Sequence, residues 1–133
     1  LVGLANFQFV LGSRSLLAIS LDRRPLPSFY NTYYIINVLR TRLERLWPRG
    51  SSVGISTIVS RNKYGDPLEG VCGGDAAVFR VDKRLTVDAY ADWKFHKLAG
   101  LRLSASHWQR NSNCELTDYK ANILSAGVVL GWE

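Results

Sequence analysis

Asp82, Asp88 and Asp92 fall at even-numbered positions of one short stretch, together with Arg80, Arg84 and Lys94. Carboxylates sharing a strand face could work as a general acid and base. Interleaved with cations, they could instead form a hydrated ladder of ion pairs. The ladder is the simpler expectation, because the motifs of other chemistry are absent. The sequence has no Gly-x-Gly-x-x-Gly, no phosphate loop, no Gly-x-Ser-x-Gly and no metal-type His or Cys spacing. His96 and His107 are too separated to suggest a metal pair. Cys72, in Val71-Cys72-Gly73-Gly74-Asp75, could be imagined with His107 as a thiol and its base, but nothing local would lower the thiol's pKa. The sequence therefore points to no enzyme, no cofactor and no metal.

The element that positions the charges is a strand. Between the charged residues stand Phe79, Val81, Leu85, Val87, Ala89, Ala91, Trp93 and Phe95, with only Lys83 breaking the series. Strands point successive side chains to opposite faces, so 79–95 has one charged and one apolar face, whereas a helix would scatter its charges. The theme recurs more weakly in 101–107, 122–132 and 53–61. Segments 2–11 and 15–23 are apolar enough for strands, with a tight turn at Gly12-Ser13-Arg14. Segment 31–47 is ambiguous. Its Val38, Leu39, Arg42, Leu43, Leu46 and Trp47 also suit a basic amphipathic helix, but its neighbours favour a strand.

Seven strands result, at 2–11, 15–23, 31–46, 52–62, 75–95, 101–110 and 119–133. Breaking the fifth at Asp82-Lys83-Arg84 would give eight, the number of a small closed barrel, but no turn residue stands there. The connections alternate between short (12–14, 48–51, 96–100) and long (24–30, 62–75, 110–118). That is the asymmetry of outer-membrane barrels, with short periplasmic turns and long outer loops. Trp47, Trp93 and Trp132 then fall at the short-turn ends of their strands on the apolar side, with Phe95 beside them, as a membrane-interface girdle would require. Tyr30, Tyr33, Tyr64, Trp108 and Tyr119 gather towards the opposite ends and suggest a second girdle. Cys72 and Cys114 both lie in long loops on one side, where a disulfide is geometrically possible; two free thiols are the alternative.

Bulk properties agree. The chain has 133 residues, 47% hydrophobic and 21% charged, which is not a disordered composition. No apolar run reaches the ~18 residues of a spanning helix, so a membrane role is open only through a barrel. A formal charge of +6 favours an anionic partner. A start at Leu1 and the lack of any methionine suggest a processed or partial chain, the C-terminal part of a longer barrel treated as one domain over 1–133.

The C-terminal half adds a resemblance. It is carried by Tyr90-Ala91-Asp92-Trp93, by the run from Leu101 to Asn113 (Leu-Arg-Leu-Ser-Ala-Ser-His-Trp-Gln-Arg-Asn-Ser-Asn), by Asp118-Tyr119-Lys120-Ala121-Asn122 and by Gly127-Val128-Val129-Leu130-Gly131-Trp132-Glu133. These resemble the closing hairpin of porin-like outer-membrane β-barrels associated with exopolysaccharide export. Asn31-Thr32-Tyr33-Tyr34 and Ser60–Asp66 look like earlier hairpins of the same kind. Those proteins finish on an aromatic residue, whereas this sequence ends at Glu133. The resemblance implies a Gram-negative outer-membrane location and no catalytic residues.

The expectation is thus an all-β, antiparallel transmembrane barrel forming a pore or export conduit. Arg40, Arg42, Arg80, Asp82, Arg84, Asp88, Asp92, Lys94, Arg102 and Lys120 would face the lumen, favouring an anionic solute or acidic polysaccharide. Membrane lipid and envelope proteins are the expected partners, and nucleic acid is not. The rival readings are a soluble lipocalin-like ligand-binding barrel and a filled barrel that anchors partner proteins.

Overall fold

The computed structural model describes residues 2–27, 33–68, 78–113 and 118–130. They form seven strands: β1 (Gly3–Leu11), β2 (Ser15–Leu26), β3 (Tyr34–Leu46), β4 (Ser52–Leu68), β5 (Val78–His96), β6 (Ala99–Ser112) and β7 (Tyr119–Leu130). Each pairs antiparallel with the next, giving one up-and-down sheet in the order β1 to β7. The sheet is not closed, since β1 and β7 are each paired on one side only.

Local sequence explains the turns. Gly12 (φ 69°) and Gly50 (φ 76°) take the left-handed conformation that lets the chain reverse within a few residues. A single 3-10 turn, Pro48–Gly50, joins β3 to β4, closed by the Trp47 amide donating to the Ser51 carbonyl at 2.8 Å. The turn between β5 and β6 is only Lys97–Leu98, shorter than the sequence suggests, because β6 starts at Ala99.

Two open questions from the sequence are answered. Residues 34–46 are a strand, paired residue for residue with β2 on one side and β4 on the other. Cross-strand hydrogen bonds on both edges, and the β-branched Ile35, Ile36, Val38 and Thr41, outweigh the helical spacing of its leucines. β5 runs through Asp82-Lys83-Arg84 without interruption, so the eight-strand division does not occur.

Directly opposed residues share a face of a sheet, so the register assigns the described side chains. One face collects the even-numbered residues of β1 to β6 and the odd-numbered ones of β7; the other collects the remainder. The first is charged and crowded. Every buried residue described lies on it, including Val38, Ser60, Asn62, Tyr64, Arg80 and Asp82. The second is apolar and open. Phe7, Leu39, Ile55, Trp93, Leu103, Leu124 and Val128 all stand exposed there, up to 84% at Leu124.

Candidate functional site: the charged face

Nine of the ten charged residues singled out from the sequence share the crowded face: Arg40, Arg42, Arg80, Asp82, Arg84, Asp88, Asp92, Lys94 and Arg102. Lys120 does not. It pairs with Gln109, on the same side as Leu124, Ala126 and Val128, and so belongs to the apolar face. The alternation of β7 itself dictates this, since all four positions are even.

The charges gather in two knots. The first is centred on Asp82, which is fully buried. Arg80 donates to it through Nε at 2.9 Å and Nη2 at 3.1 Å. Arg110 Nη2 donates at 2.7 Å, Ser112 Oγ at 2.7 Å and the Tyr64 hydroxyl at 3.2 Å. Residues of β4, β5 and β6 thus converge on one carboxylate, whose Oδ1 accepts from Arg80 and Ser112 and whose Oδ2 accepts from Arg80, Arg110 and Tyr64. Tyr64 also carries the Arg80 guanidinium over its ring at 5.0 Å and stacks with Tyr34, its partner across β3–β4, at 5.2 Å. Asn62 lies opposite Asp82 and is 1% exposed; its Oδ1 and the Arg110 Nε have no partner among the described residues.

The second knot lies nearer the short turns. Arg102 binds Asp92, its direct cross-strand partner, through Nε at 2.6 Å and Nη2 at 2.8 Å. Ser52 closes on the same carboxylate at 3.5 Å. Arg42 donates to Glu44 at 2.9 Å and to the Tyr90 hydroxyl at 3.1 Å. Tyr90 can lie flat because its opposite residue is Gly54; a Cβ there would collide with the ring. Arg42, Tyr90, Asp92 and Arg102 line a groove of about 490 Å³ with Asp88 and Ser104.

The ion-pair ladder expected from the sequence is only partly formed. Asp82 pairs with Arg80, but Asp92 pairs with Arg102 and not with Lys94. Asp88, Arg84 and Lys94 have no ion-pair partner among the described residues. The sequence suggests Tyr64 only as a girdle aromatic and does not single out Asn62, Arg110 or Tyr90 for this face. The register could have found them, since a residue opposite or diagonal to an even position of β5 must share its face.

The aromatics divide. Trp47 and Trp93 each lie one residue beyond the paired row Leu46–Ser52–Asp92, on the apolar side. Arg45 covers the Trp47 ring at 5.7 Å, and Phe95 meets Trp93 edge to face at 6.3 Å. Among the described residues the expected second girdle is not assembled. Tyr64, Trp108 and Tyr119 belong to the charged face, and Tyr33 lies against Gly65. Trp132, Tyr30 and the cysteines Cys72 and Cys114, with their suggested disulfide, lie outside the described residues.

The histidines are held locally. His96 Nδ1 accepts from the Leu98 amide at 3.2 Å, and His107 Nδ1 is bonded to Asn122 Oδ1 at 2.6 Å. No group of three or more His, Cys, Asp or Glu side chains that could hold a metal gathers among the described residues. No described helix is long and apolar enough to cross a membrane. Comparisons with protein-family models, curated proteins and solved structures give no match.

Proposed function

We propose that this chain is part of the wall of a bacterial outer-membrane β-barrel that lets solutes pass along a charged lumen. The supporting observation is the inverted arrangement of a single sheet. Its polar side chains crowd together on one face while its apolar side chains stand uncovered on the other. A soluble protein rarely leaves so large an apolar surface bare. Lipid would cover it without any further protein layer. Strand length agrees: β4, β5 and β6 have 17, 19 and 14 residues, where the usual globular strand has about 5–6 and a spanning one needs about 9–11.

The face assignment argues against a lipocalin-like soluble barrel, whose outer side would have to be the polar one. The free edges of β1 and β7 call for further strands to close a ring, and single-chain bacterial barrels have an even number. The lumen face has more cations than acids. Arg24, Arg40, Arg42, Arg80, Arg84, Lys94, Arg102 and Arg110 stand against Asp22, Glu44, Asp82, Asp88 and Asp92. Such a wall favours anions, acidic polysaccharide among them. The Asp82 knot supports one rival, a barrel filled by its own side chains that anchors envelope proteins. Conductance of the reconstituted full-length barrel across planar bilayers separates the two. A conduit gives discrete, anion-preferring steps, whereas inserted protein that never conducts is a filled barrel.

A further inference from the structure

The apolar face carries charge at its margin, and the charge has one sign. Arg23, Arg45, Arg61, Lys63, Lys83 and Lys120 project from it, whereas every carboxylate of the described strand side chains, from Asp22 to Asp92, projects from the other. Three of these cations share a single cross-strand row, in which Arg23 opposes Asn37, Asn37 opposes Arg61 and Arg61 opposes Lys83. Across the same four strands the row immediately before it is apolar, Leu21–Leu39–Val59–Leu85, each residue again opposite the next, and beyond Leu85 it continues to Gln109 and Lys120. Two residues along each strand, roughly 6–7 Å, separate a hydrocarbon-like surface from a cationic one.

Like charges directly opposite on neighbouring strands repel. Arg61 and Lys83 are such a pair, both exposed, and neither has an ion-pair partner among the described residues. An anion lying over this row would offset that repulsion. Its position beside the apolar row Leu21–Leu39–Val59–Leu85, on the side of the long connections, suits an anion attached to an acyl chain.

We propose that Arg23, Arg61 and Lys83 bind the phosphate-bearing headgroup of an anionic membrane lipid, whose acyl chains cover Leu21, Leu39, Val59 and Leu85. The proposal rests on the barrel reading given above, and the test keeps the two apart. The full-length barrel is inserted into phosphatidylcholine vesicles containing a minor fraction of phosphatidylglycerol and extracted in mild detergent, and the retained lipid is measured by mass spectrometry. Each surface cation enriches an anionic lipid about fivefold, so phosphatidylglycerol is retained at several times its bulk proportion. Arg61→Gln with Lys83→Gln lowers the enrichment severalfold, to what Arg23 alone sustains, whereas Lys97→Gln, in the turn at the other end of β5, leaves the enrichment in place. Flotation with pure phosphatidylcholine vesicles reports insertion alone. Protein that floats but retains no excess of phosphatidylglycerol overturns the headgroup site and leaves the barrel standing. Protein that does not float overturns both.

Discussion

Arg110 reaches diagonally from β6 to place its Nη2 2.7 Å from Asp82 Oδ2, one row away from its own opposed residue, Arg84. Asp82 is thereby held between two guanidiniums in a place without solvent. Removing a buried charge that two others depend on is costly, about 3–5 kcal/mol for a broken buried pair. Asp82→Ala should therefore lower the unfolding free energy, measured by urea titration, by an amount in that range. A change below about 0.5 kcal/mol, the scale of an ordinary surface substitution, would mean that the knot is not formed.

Gly54 and Tyr90 form a second dependent pair. A side chain at Gly54 would occupy the space of the Tyr90 ring. Gly54→Val should destabilise by about 1–3 kcal/mol, the usual range for overpacking. With Tyr90→Ala in the same chain, most of that loss should disappear. Strict additivity of the two substitutions in a double-mutant cycle would contradict the contact.

The two faces of β5 should respond oppositely to charge. Val87 lies on the apolar face and Thr86 on the charged one, adjacent in sequence and in the middle of the strand. Arginine on a lipid-facing midplane position costs about 2–4 kcal/mol. Val87→Arg should sharply reduce insertion into vesicles, while Thr86→Arg should be tolerated. Equal tolerance of both would remove the lipid from the apolar face.

Selectivity should follow the cationic excess of the charged face. Arg84 lacks an ion-pair partner among the described residues, so its charge is available to a passing solute. Arg84→Glu should shift the reversal potential in a salt gradient towards cations. An unchanged reversal potential would place this face outside the conduction path.

How far the sequence disclosed this arrangement varies with the residue. The alternation over 79–95 was plain because charged and apolar residues differ so strongly there, and it gave the facing of all of β5. Segment 31–47 was not, since its leucines satisfy both periods; long-range pairing with β2 and β4 decides it, and no local window contains that. Strand ends were underestimated where prolines stand. Pro25 is tolerated within β2 because the pairing with β1 ends at Arg23, leaving its missing donor at a free edge. Beyond Lys63 the β4–β5 register shifts before pairing resumes at Pro67, an irregularity that Gly65 and Pro67 signal in the sequence. The Asp82 knot draws on three strands, so only the register could assemble it. Lys120, by contrast, is legible, since its even position places it with Leu124, Ala126 and Val128 on the apolar face.

The most direct measurement is a nitroxide scan of residues 84–91 in lipid vesicles, one labelled cysteine at a time with Cys72 and Cys114 replaced by serine. Leu85, Val87, Ala89 and Ala91 should be accessible to oxygen dissolved in the bilayer, and Arg84, Thr86, Asp88 and Tyr90 should favour a water-soluble nickel chelate. A scan in which the odd positions are open to the chelate, or shielded from both reagents by another protein layer, would contradict the assignment of lipid to the apolar face.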